Sequence, residues 1–391
     1  MGAEGVDVYV DNDADLKRLV TRLSGAEFIA FDTEFMRERT YFARLCLLQV
    51  ATDDVAAIID PLTIKDLAPL GEVLFDESIV KLVHAGQQDL EIFYFMFERV
   101  PRPVFDTQIA ATLAGFPQQA GYGALVHDLL GVTLDKSDTY TDWGKRPLSD
   151  TQIEYALNDV RYLPEIYRKL MAEIERTGRT DWLAPDFERL EDPRSYRVEP
   201  TQVWRRLKRL KSLNRRQLGV LQHVTAWREL EAQRRDVPRK WVMGDESLVE
   251  IARRMPRTRE DLRAVRGVSD KLAKSAYGAL LEAVGTALEL PDDELPVIER
   301  HPRLHNDTEG AADLMAAIVR VRAKEHGVAV PLLASRKDLD RLAAGERDGN
   351  PLLEGWRREM VGKELVDLLE GRLALSFENG ALVVRGIGVD A

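Results

Sequence analysis

The residues in this chain whose types and spacing could do chemistry are carboxylates. In FIAFDTEF, residues 28–35, Asp32 and Glu34 interrupt an otherwise apolar strand pattern, and residues two apart on a strand point to the same face. Two carboxylates a few Å apart repel by roughly 4 kcal/mol at an effective dielectric of 20, so such a pair persists by sharing a proton or binding a cation. The plain alternative is an acidic pair on a solvated strand edge, and Phe28, Ile29, Phe31 and Phe35 around the pair weigh against it. Asp89 follows in KLVHAGQQDLEIF, where a strand runs out and a helix begins. Alone, it reads equally as a first-turn carboxylate complementing a helix dipole. Tyr155 and Asp159 in EYALNDVRYL are four residues apart and share one helical face. Together, three aspartates and a glutamate from a strand and two helices offer the hard oxygen ligands that Mg²⁺ and Mn²⁺ prefer. Six scattered histidines and a single cysteine exclude a histidine-rich or thiolate zinc centre. No serine or cysteine nucleophile with its base is recognisable.

These side chains need an α/β frame. Three apolar runs between about Glu27 and Asp60 predict meandering strands. A helical pattern at 64–75, a strand ending at His84, a helix from Gln87 and helices near 107–114 and 122–130 come next. Asp106 fits a helix N-cap. A single long helix from Ser149 to Thr177, stopped by Gly178, would close the domain. Residues 181–200, charged and Pro-punctuated, read as an extended linker. Beyond it residues 202–285 and 310–370 repeat one helical rhythm, and Asn379-Gly380 between alternating apolar residues signals a hairpin. At 391 residues the chain should hold two to three domains.

Charge distribution separates the parts. The net charge of −11 conceals −15 over residues 1–200, +9 over 201–290 and −5 over 291–391. A basic block between acidic neighbours suits a polyanion partner, although an Arg-rich solvated helix face would look the same. Within it Arg205, Arg206, Lys208, Arg209, Lys211, Arg215 and Arg216 are expected on one helical stretch. Arg234, Arg235, Arg239 and Lys240 flank Trp241 in an expected loop, which would put phosphate contact and base stacking in one place. No apolar run is long enough to span a bilayer, and the acidic start is unlike a signal peptide. Lone Cys46, in LCLLQV, reads as a small buried hydrophobe. A reducing cytoplasm fits.

The order Asp32-Thr-Glu34, His84-Ala-Gly-Gln-Gln-Asp89 and Tyr155-Ala-Leu-Asn-Asp159 resembles the three motifs of the DEDD exonucleases, in the subgroup with tyrosine in the third motif. FDTEFMRERTYFARLCLLQVA, VFDTQIAA and DWGKRPLSDTQIEYA extend the resemblance to the ribonuclease D family. Residues 201–285 resemble an HRDC domain, and PLLASRKDLDRL with LLEGWRREMVGKEL a second, more divergent copy. The resemblance implies an α/β ribonuclease-H-like exonuclease domain with a mixed sheet over 1–180, a linker over 181–200, and two small all-α HRDC-type domains over 201–290 and 291–391. It further implies a two-metal 3′-to-5′ exoribonuclease, using Mg²⁺ or Mn²⁺, that releases 5′-mononucleotides. Asp32 would bridge the ions, Glu34 and Asp159 would complete one site, Asp89 would support the other, and Tyr155 would orient the attacking water. Phe35, His84, Trp143 and Arg146 are candidate substrate contacts, with core or structural roles as their alternatives. The expected partner is RNA with a single-stranded 3′ end, tRNA precursors above all, acted on by a cytoplasmic monomer. The alternatives are a DNA 3′-to-5′ exonuclease and an inert nucleic-acid-binding scaffold.

Overall fold

Apolar runs between Val6 and Asp106 pair into one mixed sheet of six strands in the order β1-β4-β3-β2-β5-β6. The structure is a computed structural model and describes residues 6–134, 141–268, 274–298 and 306–387. The strands are β1 (Val6–Val10), β2 (Phe28–Met36), β3 (Arg44–Ala51), β4 (Val55–Ile59), β5 (Val80–Val83) and β6 (Val104–Asp106). β2, β3 and β4 form the expected antiparallel meander, while β1 pairs parallel with β4, β5 with β2, and β6 with β5. The first strand is one the sequence did not flag: VDVYV is short and sits in an acidic stretch, and it is held by pairing with partners 49 residues away.

Both faces of the sheet are covered, which is why its strands are nearly continuous in apolar residues. On one face Ile29, Phe31, Leu48 and Ile59 pack with the Asp13–Leu23 and Gln87–Phe97 helices. On the other, Phe28, Ala30, Leu47 and Ile58 pack with the helices Asp150–Arg161 and Leu163–Arg176. Strand alternation puts Asp32 and Glu34 on this second face.

The expected single helix from Ser149 to Thr177 is two helices. Ser149 opens the first with a capping box to Gln152, but Pro164 lies in the first turn of the second, where it has no N–H to give to the preceding turn. Residues 181–200 are also more than an extended linker. Ala184–Glu191 is helical, Leu183, Leu190 and Tyr196 are buried against the sheet domain, and a Glu191 carboxylate oxygen accepts the Val104 N–H at 2.7 Å.

The basic block folds around its own core of Trp204, Leu221, Val224, Ile251 and Leu280. Its helices include the 21-residue Arg215–Arg235, the single turn Arg239–Val242 after Val237-Pro238, and Asp245–Arg254. The rhythm then recurs: a 21-residue helix Asn306–His326, a single turn Val330–Leu333 with Pro331 inside it, and Arg336–Ala343. This last unit shares its core with the six-stranded sheet domain, Met315, Ile318 and Leu365 joining Val126 and Ile166. Trp182 and Trp356 stack face to face at 4.4 Å across that junction. The chain closes in the expected hairpin, β7 (Leu373–Glu378) and β8 (Ala381–Gly386), where Asn379 and Gly380 take φ of 50° and 81°, the two left-handed positions a type I′ turn requires.

Candidate active site

β5 pairs with β2 only across Phe28, Ile29 and Ala30. Beyond Ala30 that edge of β2 is free to receive other groups, and Asp32, Thr33 and Glu34 occupy this part. A β-bulge follows between Glu34 and Phe35. Asp89 arrives in the first turn of the Gln87–Phe97 helix and is only 7% exposed. The Thr33 hydroxyl, pointing to the opposite face from Asp32 and Glu34, donates to Asp89 Oδ1. One strand tripeptide thus holds two carboxylates on one face and fixes a third from the other.

The turn before Asp89 is tightly specified. Asp106 accepts the N–H groups of Ala85 and Gly86, each at 3.0 Å, and also caps its own helix through Gln108 N at 2.8 Å. Its expected capping role is what the geometry displays. At Gly86 a Cβ would lie 2.6 Å from the Val83 side chain, so only glycine lets the chain pass that close.

Asp159 comes from the last turn of the Asp150–Arg161 helix, which packs across β2, β3 and β4. Ligand atoms of Asp32, Glu34 and Asp159 lie within 4.8 Å of one another. Tyr155, one turn earlier, has its ring 6.0 Å from that of Trp143.

Crowding shows in the protonation of the cluster. Burial, then the carboxylates of Asp89, Asp159 and Glu34, push the Asp32 carboxyl well above its usual range. Burial and the charges of Asp159 and Asp89 raise Glu34 to about 8. Burial takes Asp159 to about 7, and Asp89 to about 6 against the opposing Thr33 hydroxyl. Asp32 feels all three of the others, as a carboxylate central to two ion sites would. An all-oxygen donor set that cannot ionise fully by itself fits hard divalent cations.

Other expected contacts are occupied elsewhere. All five donors of Arg146 are taken: Nε and Nη2 by Asp60 at 2.5 and 2.8 Å, Nη2 also by the Cys46 carbonyl, and Nη1 by the carbonyls of Trp143 and Lys145. It has no fork left for a phosphate. Trp143 is buried in the core. His84 places Nδ1 at 3.0 Å from Thr107 Oγ1 and Nε2 at 3.0 Å from the Ala120 carbonyl, and burial depresses its pKa. It is a neutral structural histidine. Phe35 is half-buried at the rim of the core formed by Ile29, Phe31 and Leu48, on the other face of the sheet from Asp32 and Glu34.

The basic block is divided in the same way. Its first seven cations do not share a helix but span the turns Pro200–Arg206 and Leu210–Ser212 and the start of Arg215–Arg235. Arg216 caps the carbonyl ends of Ala287, Leu288 and Leu290, and Arg215 takes that of Leu295. Arg239 lies not in a loop but in a helical turn, where both Nε and Nη2 bind Glu229 at 2.6 Å. Arg205, Arg206, Lys208, Arg209, Lys211 and Lys240 remain exposed, and Trp241 is 61% exposed.

Thr33 and Tyr122 were missed by sequence reasoning. Tyr122 hydroxyl donates to the Asn158 carbonyl at 3.0 Å, beside Asp159, and its ring lies 5.4 Å from His84. Nothing in the sequence marks either, because each matters only through a partner 36 or 56 residues away.

A family model described as 3′-5′ exonuclease matches residues 8–175, and one described as HRDC domain matches residues 217–284. Ribonuclease D of Sphingobium indicum is 44% identical over 377 residues, covering 95% of this chain and 97% of that protein. Ribonuclease D of Gluconacetobacter diazotrophicus is 44% identical over 373 residues, covering 95% of each. The crystal structure of Escherichia coli RNase D, described as an exoribonuclease involved in structured RNA processing, superimposes with a TM-score of 0.78 at 35% identity, over 93% of this chain and 98% of that one. One HRDC match is found where two were expected. With its carboxylate centre on a ribonuclease-H-like sheet and its helical units behind, the chain belongs to the ribonuclease D family.

Proposed function

We propose that this 3′-to-5′ exoribonuclease hydrolyses terminal phosphodiesters at the Asp32 centre, trimming the 3′ ends of structured RNA such as tRNA precursors. The observation that carries the reading is the Asp32, Glu34 and Asp159 cluster, with ligand atoms within 4.8 Å of one another and Asp89 held beside it by Thr33. Asp32 would be shared by two divalent cations, with Glu34 and Asp159 completing one site and Asp89 supporting the other. Bound there, the cations lower the pKa of a water and take up charge on the departing 3′ oxygen.

The chain's own groups do the rest. Tyr155, on the helical face of Asp159, orients the attacking water through its hydroxyl. A phenol with an ordinary pKa near 10 is a poor base at neutral pH, so its work is positioning. Phe35 at the rim offers a ring for the terminal base. The exposed cations from Arg205 to Lys211, with Lys240 and Trp241, hold the body of the RNA. The recurrent order of long helix, single turn and shorter helix over 306–343 supports a second HRDC-like unit. Among the described residues no helix is long and apolar enough to cross a membrane, and a cytoplasmic monomer is the form we assign.

Product analysis tests this on paired 3′-tailed RNA and DNA oligonucleotides of one sequence with Mg²⁺, Mn²⁺ or EDTA. Cation-dependent release of 5′-mononucleotides from RNA, lost in Asp32→Ala, is expected. Faster hydrolysis of DNA would transfer the site to a deoxyribonuclease, and RNA binding without hydrolysis under either cation would leave a scaffold.

A further inference from the structure

Gln49 lies in the middle of β3, directly opposite Asp32 of β2 and, on its other side, Ile58 of β4. Opposed residues of antiparallel strands send their side chains to the same face, with Cβ atoms about 4.5–5.5 Å apart. The Gln49 carboxamide therefore emerges on the face of Asp32 and Glu34, beneath the Asp150–Arg161 helix that delivers Tyr155 and Asp159. The side chain is 0% exposed, and among the described residues neither its Nε2 nor its Oε1 has a hydrogen-bond partner.

A buried amide without a partner is costly, and such groups in folded proteins call for an explanation. Packing supplies none. Its neighbours on the same face of β3, Leu47 and Ala51, are apolar, and a hydrocarbon of similar volume would fill the place without the penalty. The other buried polar atoms lacking partners among the described residues, on Trp204, Thr225 and Arg228, sit in the basic unit. Gln49 alone of this set adjoins the carboxylates.

We propose that Gln49 is a positioning residue for the catalytic centre: its Nε2–H, unpartnered in this structure and carried directly opposite Asp32, would turn about its side-chain torsions to donate to the Asp32 carboxylate and fix that group's orientation toward the cations. The inference rests on the cation-site reading of Asp32. An ionised carboxylate has about four acceptor positions, and two cations leave room for a donor from the protein side. An amide suits that place: long enough to cross from the next strand, and neutral, so it steadies the carboxylate without a charge that would compete with the cations. Partners of this kind around metal ligands are worth 10–100-fold in affinity or rate.

The test uses the full chain as wild type, Gln49→Met and Asp32→Ala, with Mn²⁺ titrated calorimetrically and the EDTA-treated proteins melted in parallel. Gln49→Met keeps the volume and leaves no orphaned polar atom, so its cation-free midpoint should match or exceed that of the wild type. Its Mn²⁺ affinity should fall 10–100-fold, and kcat on a short RNA should fall while KM holds. Unchanged Mn²⁺ affinity beside a responsive wild type would overturn the role of Gln49 alone. A lowered cation-free midpoint with Mn²⁺ affinity intact would do the same, making the residue purely structural. A wild type that binds Mn²⁺ no better than Asp32→Ala would overturn the cation-site reading, and this inference with it.

Discussion

Asp32, Glu34, Asp89 and Asp159 share too little space to ionise together, and their protonation sets the first prediction. Burial raises all four, with repulsion from neighbouring carboxylates added at Asp32 and Glu34: Asp32 stands well above its usual range, Glu34 at about 8, Asp159 at about 7 and Asp89 at about 6. Raised folded values mean that the native state holds protons the unfolded chain has released, so stability is lost as pH rises through them. In EDTA the melting midpoint should therefore decline as pH rises from about 5 to 8. Added Mg²⁺ should recover it, with the larger gain at the higher pH because protons no longer compete for the oxygens. A cation-free midpoint flat across that range, measured by calorimetry, would show that the cluster is not crowded in solution. Arg146, Trp143 and His84 carry the opposite lesson. Each has a residue type suited to substrate, and each is consumed by the fold.

Between elements, the most specific junction is the loop from β2 to β3 against the helical unit. Tyr41, at the tip of that loop, donates to Glu229, accepts from Gln233 and from Arg239 Nη2 at 3.0 Å each, and carries the Arg239 guanidinium 4.7 Å above its ring. Asp236 accepts the backbone N–H groups of Tyr41 and Phe42, each at 3.0 Å. Arg37, in the same loop, binds Glu91 on the helix of Asp89 at 2.8 Å. The loop that leaves the catalytic strand is thus clamped on both sides. Arg239→Ala should leave Glu229, which is 0% exposed, short of its main partner. The expected cost is about 3 kcal/mol, the low end for a broken buried pair, because a third of the Arg239 side chain is in solvent. Thermal denaturation checks this. RNA affinity measured on the folded variant should not change, since the arginine is spent inside the protein.

For the whole molecule, the charge reversal along the chain becomes a division of surface. The acidic sheet domain holds the carboxylate centre, and of the cations expected to meet RNA, Arg205, Arg206, Lys208, Arg209, Lys211 and Lys240 stay exposed in the basic unit, as does Trp241 at 61%. Reversing Lys208, Arg209, Lys211 and Lys240 together should weaken RNA binding and reduce its salt slope by about 0.7 per lost phosphate contact, about 3 in all. Hydrolysis of a very short oligonucleotide should persist. A salt slope equal to that of the wild type would remove this surface from the RNA path.

What the sequence determined by itself was whatever short-range spacing controls. The period-two placement of Asp32 and Glu34, the four-residue step from Tyr155 to Asp159, the caps at Ser149 and Asp106 and the Asn379-Gly380 turn are local, and all were legible. So was the family, because three motifs in order leave little room for coincidence. Tertiary structure decided the rest. Whether Arg146 or Arg239 meets RNA depends on Asp60 and Glu229, which pairing across the fold brings to them. That residues 181–200 pack as part of the sheet domain follows from the surface offered to Leu183, Leu190 and Tyr196, while the break at Pro164 was written in the chain but masked by a continuous apolar period. Gln49 shows the limit best. In LCLLQV it is one polar residue in an apolar strand, and only the register of β3 against β2 sets it opposite Asp32.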